Sequence, residues 1–136
     1  MTVNYWAVLV CGVLAMVIGY IWYGPLFGKA WARAVGATAM DAEARKKMQK
    51  SAGPLYLVQF IMVLFQAWIL ARALGGSPDA LANTGLIWFA FVVPTVAGLC
   101  MWNNDSRKVA WTKFLLSAGY QLILFVMFGL ILGMWV

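Results

Sequence analysis

Four long stretches of apolar sequence constrain this chain more than any other feature. Each is about 20 residues long, and they fall at approximately residues 4–23, 55–74, 84–102 and 114–135. A helix of that length rises about 30 Å, which matches the hydrocarbon core of a bilayer. Charged side chains are absent from their interiors, since Arg72 falls in the last turn of the second stretch and can reach the interface. The stretches predict four transmembrane helices.

Composition agrees with a membrane fold. The 136 residues are 65% hydrophobic and 10% charged and include no histidine, which lies outside the range of soluble globular domains. We therefore predict an all-α, polytopic membrane protein whose single transmembrane domain covers residues 1–136. The four helices should form two hairpins and leave no room for a soluble domain.

Basic residues are distributed unevenly among the three connections. Nine of the ten lysines and arginines fall in the first and third connections, and only Arg72 lies beside the second. Because cytoplasmic loops are enriched in Lys and Arg, we expect a multi-pass protein of the cytoplasmic (inner) membrane, with both of those connections in the cytoplasm and both termini outside it. This asymmetry accounts for the net charge of +6. We expect anionic lipid headgroups as partners of the basic face, and no nucleic acid.

The first connection contains the polar sequence "TAMDAEARKKMQKSAGP". Thr38 and Asp41 resemble a capping box, acidic residues come early and basic residues late, and Gly53 with Pro54 ends the pattern. We predict a short interfacial helix over about residues 39–51, lying on the cytoplasmic membrane surface.

The sequence "IWYGPLFGKAW", residues 21–31, joins the first apolar stretch to this basic segment. Glycine allows a left-handed exit from a helix and proline cannot donate to a continuing one, so we expect the first helix to end here. The aromatic rings should lie at headgroup depth. We interpret the stretch as an interfacial elbow made of Trp22, Tyr23, Gly24, Pro25, Phe27, Gly28, Lys29 and Trp31.

The distribution of reactive side chains argues against catalysis. The chain lacks histidine, and its four carboxylates all lie in connections, so no general acid or base and no metal cluster can be placed inside the membrane. Cys11 and Cys100 differ in depth by roughly 15 Å and are interpreted as packing residues. We expect no enzyme, no cofactor and no metal.

The polar groups at membrane depth are amides and hydroxyls, and one proline interrupts the third helix. Gln59 and Gln66 lie on the second helix, Pro94 and Thr95 on the third, and Gln121 on the fourth. One interpretation is that the amides bond across helices, at about 0.6 to 2 kcal/mol each. The other is that the five residues line a polar pocket near the midplane. We favour the first, because amides without an ionisable partner usually serve helix packing.

Two pairs of small residues have the four-residue spacing that lets helix backbones approach closely. Ala15 and Gly19 form one pair in the first helix, and Gly129 and Gly133 form the other in the fourth. We expect at least one pair to pack inside the monomer, and the other is a candidate dimer seam.

Tryptophans suggest an internal repeat. Trp22 and Trp31 are nine residues apart, as are Trp102 and Trp111, and a lysine and an alanine closely precede the second tryptophan of each pair. We predict two parallel hairpin repeats related by an axis along the membrane normal. An interfacial aromatic belt explains the same tryptophans and is compatible with the repeat.

Several stretches give the chain a likeness to a known family. With "NYWAVLV" near its start, "GYIWYGPLFGKAW" after it and a late "SAGYQL", the chain resembles the bacterial family called domain of unknown function 1761. The resemblance spans most of the chain. It implies a small membrane protein of about four helices with a cytoplasmic elbow, and it implies no reaction, substrate or cofactor.

These observations predict a non-enzymatic helix-bundle subunit that acts by interaction or assembly, with a protein partner or as a homo-oligomer. The alternative is a small channel or small-solute transporter with a polar path near the midplane. A continuous polar cavity joining Gln66, Pro94 and Gln121 would favour transport, whereas a dry bundle with a large exposed apolar seam would favour assembly.

Overall fold

The computed structural model describes residues 2–39 and 41–135. Four helices in it are long and apolar enough to cross a membrane, which confirms the predicted all-α class and the multi-pass architecture. We call them the first to fourth spans, and they cover Tyr5–Leu26, Gly53–Leu74, Ala80–Met101 and Arg107–Met134.

The first and third spans each contain a π-helical segment, in which the turn is one residue wider than in an α-helix. These segments are Trp22–Leu26 and Trp88–Val92. The α-helices in chain order are α1 (Tyr5–Ile21), α2 (Gly28–Ala34), α3 (Ala42–Ser51), α4 (Gly53–Leu74), α5 (Ala80–Ile87), α6 (Val93–Met101) and α7 (Arg107–Met134), with a 3₁₀ turn at Ala37–Ala39.

Side-chain caps fix several helix starts. Asn4 accepts hydrogen bonds from the backbone N–H groups of Trp6 and Ala7 at 3.1 and 3.2 Å, and so begins α1. Asp41 caps α3 by accepting from the Ala44 N–H at 2.8 Å. The expectation that Thr38 is the cap is therefore wrong, because the extended residue before the helix is Asp41.

The short helix of the first connection thus begins at Ala42 rather than near residue 39, and residue 40 lies outside the described residues. Its location on the membrane surface stays a prediction. The third and fourth spans also begin earlier than their apolar stretches, at Ala80 and Arg107. The apolar stretch of the fourth span begins only after the basic side chains in the first turns of α7, whereas the helix itself includes those turns.

The four spans alternate in direction, so the bundle has two distinct ends. At the terminal end lie Thr2, Trp135 and the second connection, where the Gly76 N–H donates to the Leu132 carbonyl at 3.0 Å. At the basic end lie the first and third connections, including a 2.7 Å salt bridge between Lys113 and Asp105. Nine of the ten lysines and arginines are at the basic end.

The fourth span is the central helix of the bundle. It packs against the first, second and third spans, and 44% of its most apolar window is buried, against 11% for the third span. Large side chains of α7 fill the core where small residues of α1 and α4 leave room. The buried core comprises Ala7, Val8, Cys11, Ala15, Val63, Ala67, Leu70, Ala71, Tyr120, Leu124, Phe125, Phe128 and Leu132.

The tryptophans of the predicted repeat have different surroundings. Trp22 is half-buried and its indole N–H donates to the Leu116 carbonyl at 3.0 Å. Trp102, its counterpart in the proposed frame, is 91% exposed. The repeat stays a prediction, and these two positions do not support it.

Candidate functional site: a cavity in the basic half

A cavity of about 780 Å³ opens in the basic half of the bundle. All four spans and α2 contribute to its wall, and none of the twelve lining residues is charged. They are Met16, Gly19, Tyr20, Tyr23, Gly24, Trp31, Tyr56, Gln59, Val96, Ser117, Tyr120 and Gln121.

Tyr120 separates the cavity from the core. Its ring is buried, and its hydroxyl donates to the Ala15 carbonyl at 2.9 Å. A Cβ on Gly19 would lie 3.0 Å from the Tyr120 hydroxyl oxygen, so the glycine makes room for the tyrosine. The Ala15 and Gly19 pair therefore accommodates a side chain of the fourth span within the monomer.

Aromatic rings form the wall nearest the basic end. The Tyr23 ring lies edge-on to Trp31 at a centroid distance of 4.9 Å and to Tyr120 at 5.4 Å. Trp22 packs on Phe27 at 4.6 Å. The Tyr23 contacts link the π-helical segment of the first span to α2 and α7 beside the cavity.

The predicted elbow differs from the observed one. Gly24 does not provide a left-handed exit, because the positive-φ residues in the described part of the chain are Gly36 and Gly76. The helix instead continues through the π-helical segment Trp22–Leu26 and breaks at Phe27, with φ −120° and ψ 13°. A π-type turn accommodates Pro25, which has no N–H to donate.

The chain after the break folds back toward the bundle. Gly28 begins α2, and a Cβ there would lie 3.0 Å from the Tyr23 carbonyl oxygen, so this close approach favours glycine. Lys29 is exposed. Trp31, expected at headgroup depth, lines the cavity, and α2 packs against α7.

Of the five polar candidates at depth, Gln59 and Gln121 are brought together in the cavity wall. Gln66, Pro94 and Thr95 do not line it. Within the described residues, neither Gln59, Gln66 nor Gln121 makes a side-chain hydrogen bond, so the cross-helix bonds expected of packing amides are not formed there.

The third span directs its proline outward. Pro94 and Thr95 are exposed, and the Thr95 hydroxyl donates to the Phe91 carbonyl in the preceding turn. The π-helical segment just before them is tied to the fourth span, because the Trp88 indole N–H donates to the Ala118 carbonyl at 3.0 Å. Of the three residues expected to join a continuous polar path, Gln121 lines the cavity, whereas Gln66 and Pro94 do not.

The glycine pair of the fourth span also packs inside the monomer. A Cβ on Gly129 would lie 2.8 Å from the Leu81 Cα, and a Cβ on Gly133 would lie 3.1 Å from the Ala80 Cβ. Both contacts are with the start of the third span. Neither small-residue pair is left as a dimer seam.

Six of the twelve residues of the cavity wall were not singled out from the sequence: Met16, Tyr20, Tyr56, Val96, Ser117 and Tyr120. In the "SAGYQL" stretch, Tyr120 and Gln121 follow Ser117 by three and four residues, spacings that place both near the face of the helix that carries Ser117. Tyr20 and Tyr56 resemble ordinary interfacial tyrosines. The sequence signal that could have identified this part of the wall is the group of polar and aromatic residues on one face of the fourth span, because crossing a membrane requires only apolar residues there.

A family model described as "Protein of unknown function (DUF1761)" matches residues 6–133. The chain belongs to this family, as its resemblance predicted. No curated protein and no solved structure matches the chain.

Proposed function

We propose that this member of the DUF1761 family is a small-molecule carrier, which binds an uncharged molecule in the basic-half cavity and exchanges it between the membrane and the basic side. The observation that carries the proposal is the cavity itself. Its volume of about 780 Å³ lies within the range of ligand pockets, roughly 300 to 1,000 Å³. The packed core beyond Tyr120 separates it from the terminal end.

The contacts of the small residues weigh against assembly as the main role. One of the two small-residue pairs was a candidate dimer seam. Gly19 packs against Tyr120 and Gly129 against Leu81, both within the monomer. A carrier needs no such face, and it does need a cavity of ligand size.

The experiment fills part of the cavity with a larger side chain and measures which small molecules no longer co-purify with the protein. Val96 lines the cavity from α6, and Leu99 on the same helix is 73% exposed outside it. Wild type, Val96→Trp and Leu99→Trp are purified in mild detergent, and small molecules in their solvent extracts are compared by mass spectrometry. Leu99→Trp is the matched control for an added indole on this helix.

We expect at least one small molecule that is enriched with wild type and Leu99→Trp and absent with Val96→Trp. The added indole reduces the cavity, whereas an exposed indole leaves it open. Equal extracts from all three folded proteins would contradict the proposal.

Self-association through the third span is a second candidate function. With 11% of its apolar window buried, this span has the smallest buried share of the four. Phe89 and Phe91 are 67% and 69% exposed on it. Native mass spectrometry from detergent would detect a dimer of this chain, and a monomer at all concentrations would exclude this candidate.

We also propose that the basic end faces the cytoplasm, by the positive-inside rule. Lys47 on α3 and Asp79 in the second connection are exposed at opposite ends of the bundle. In a Cys11→Ala, Cys100→Ala background, Asp79→Cys should react with an impermeant maleimide in intact cells. Lys47→Cys should react only after permeabilisation. The reverse result would invert the orientation.

A further inference from the structure

The cavity has a lateral side, between the second and third spans. The second span packs against the third through α5, at the terminal end. In the basic half, Tyr56 and Gln59 of α4 and Val96 of α6 all line the cavity. Tyr56 is 65% exposed, and its neighbours Leu55 and Leu57 are similarly exposed. In a bilayer this side of the cavity faces acyl chains.

Gln59 stands at this opening at hydrocarbon depth. It lies six residues after Gly53, the first residue of α4, which places it about 9 Å along the helix. The side chain is exposed and makes no hydrogen bond within the described residues. An amide in hydrocarbon without a hydrogen-bond partner is unfavourable. A bound group that accepts or donates a hydrogen bond would remove that penalty.

Gln121 gives the cavity a second amide, from the fourth span. It also makes no side-chain hydrogen bond within the described residues, and Ser117 lies one turn away on the same wall. Each amide offers both donors and an acceptor, so the pair suits a carbonyl or hydroxyl group.

The rest of the lining sets the character of the ligand. All twelve residues are uncharged, and placing an ion among them would require desolvation without a counter-charge. Tyr20, Tyr23 and Trp31 offer ring surface, while Met16 and Val96 offer aliphatic surface. The wall therefore suits an apolar body with a small neutral polar head.

We propose that the ligand is a neutral membrane amphiphile that enters from the bilayer between α4 and α6. Its carbonyl- or hydroxyl-bearing head hydrogen-bonds to Gln59 and Gln121, and its apolar tail extends into the lipid. The inference rests on the proposed carrier function and adds the ligand class and the route of entry.

Photolabelling tests this inference with two probes that share one alkyl chain. A diazirine-bearing monoacylglycerol is neutral, and the corresponding diazirine-bearing fatty acid is anionic at pH 8. Wild-type protein, Gln59→Leu, Gln121→Leu and Gln66→Leu are placed in phosphatidylcholine nanodiscs and irradiated, and labelled peptides are mapped. Gln66→Leu is the matched control, because it makes the same change on α4 outside the cavity.

We expect the monoacylglycerol to label peptides around Gln59 and Val96, above the level of the fatty acid. Labelling should fall about fivefold in Gln59→Leu and in Gln121→Leu, the factor expected for one lost hydrogen bond. Gln66→Leu should label as wild type. Gln59 is exposed and loses no hydrogen bond in the described structure, so Gln59→Leu tests the proposal without endangering the fold.

Stronger labelling by the fatty acid, or equal labelling of wild type and both cavity variants, would overturn the inference. The carrier function is tested separately by Val96→Trp. If that variant loses a co-purifying molecule while the monoacylglycerol leaves the cavity unlabelled, the amphiphile inference is wrong and the carrier function stands. If Val96→Trp loses nothing and labelling is spread over all spans, both are wrong.

Discussion

The terminal and basic halves of this bundle are built in different ways. In the terminal half, Leu124 and Phe128 of the fourth span are fully buried against small residues of the first and second spans. In the basic half, the same four spans surround a cavity of about 780 Å³. The cavity at the terminal face is smaller, about 310 Å³.

The two halves are held together by different interactions. Within a bilayer, water does not drive helices together, so close packing and interhelical hydrogen bonds must hold the bundle. The terminal half supplies dense packing through glycine and alanine. The basic half keeps a cavity and relies on three hydrogen bonds to or from the fourth span, donated by Trp22, Trp88 and Tyr120.

The largest expected effect comes from overfilling the terminal half. In Gly129→Leu the new Cβ would lie 2.8 Å from the Leu81 Cα, a backbone atom that moves only if α5 moves. Overpacking of this kind destabilises by about 1 to 3 kcal/mol or more. We expect a large loss of folded protein and a lower midpoint in thermal aggregation assays.

Gly98→Leu is the matched control for this change. Gly98 lies on α6, is exposed, and has no heavy atom within 4 Å of a built Cβ. It should express and melt as wild type. If both glycine changes are equally mild, dense packing does not distinguish the terminal half.

The fold was predictable because span length and hydropathy depend on the bilayer, and the sequence carries both directly. Where the spans contact each other was not predictable. The spacing of Gly129 and Gly133 indicates a close approach, but it cannot say whether the neighbouring helix belongs to the same chain. Here the neighbour is α5.

The candidate site was only partly predictable for a related reason. Gln59 and Gln66 are seven residues apart and share a face in an ideal helix, yet only Gln59 lines the cavity. Which glutamine lines the cavity depends on how far the second span lies from the third in each half of the bundle, which is a tertiary property. Similarly, a π-helical turn carries the helix past Gly24 and Pro25, which local rules predict as its end.

A moderate effect is expected where the two halves meet. Tyr120→Phe removes the hydroxyl that donates to the Ala15 carbonyl. The ring remains in place, and this interhelical bond is buried, so the loss should be about 1 kcal/mol, between the average of about 0.6 and the maximum of about 1.7 kcal/mol for such bonds in membranes. Tyr20→Phe is the control, since Tyr20 is 77% exposed. Equal unfolding midpoints in an SDS titration for both variants would show that the bond does not stabilise this boundary.

A similar or smaller effect is expected from the two indole hydrogen bonds of the basic half. Trp22→Phe and Trp88→Phe each remove a 3.0 Å bond to a fourth-span carbonyl. Interhelical bonds in membranes average about 0.6 kcal/mol, so the lost bond should contribute about that much, in addition to the packing lost with the smaller ring. Trp102→Phe should change nothing, because Trp102 is 91% exposed. An equal loss for Trp102→Phe and Trp22→Phe would instead favour the predicted repeat.

The smallest effect should come from Gln66, which lies outside the cavity wall on α4. If its amide bonded across helices, Gln66→Leu would destabilise the bundle by about 0.6 to 2 kcal/mol. The described residues provide no such bond, and leucine is better accommodated in hydrocarbon than an amide. We therefore expect a change within about 0.5 kcal/mol, or a slight gain, in the SDS unfolding titration. A loss above 1 kcal/mol would show that this amide does bond in the membrane and would extend the polar network of the basic half toward the core.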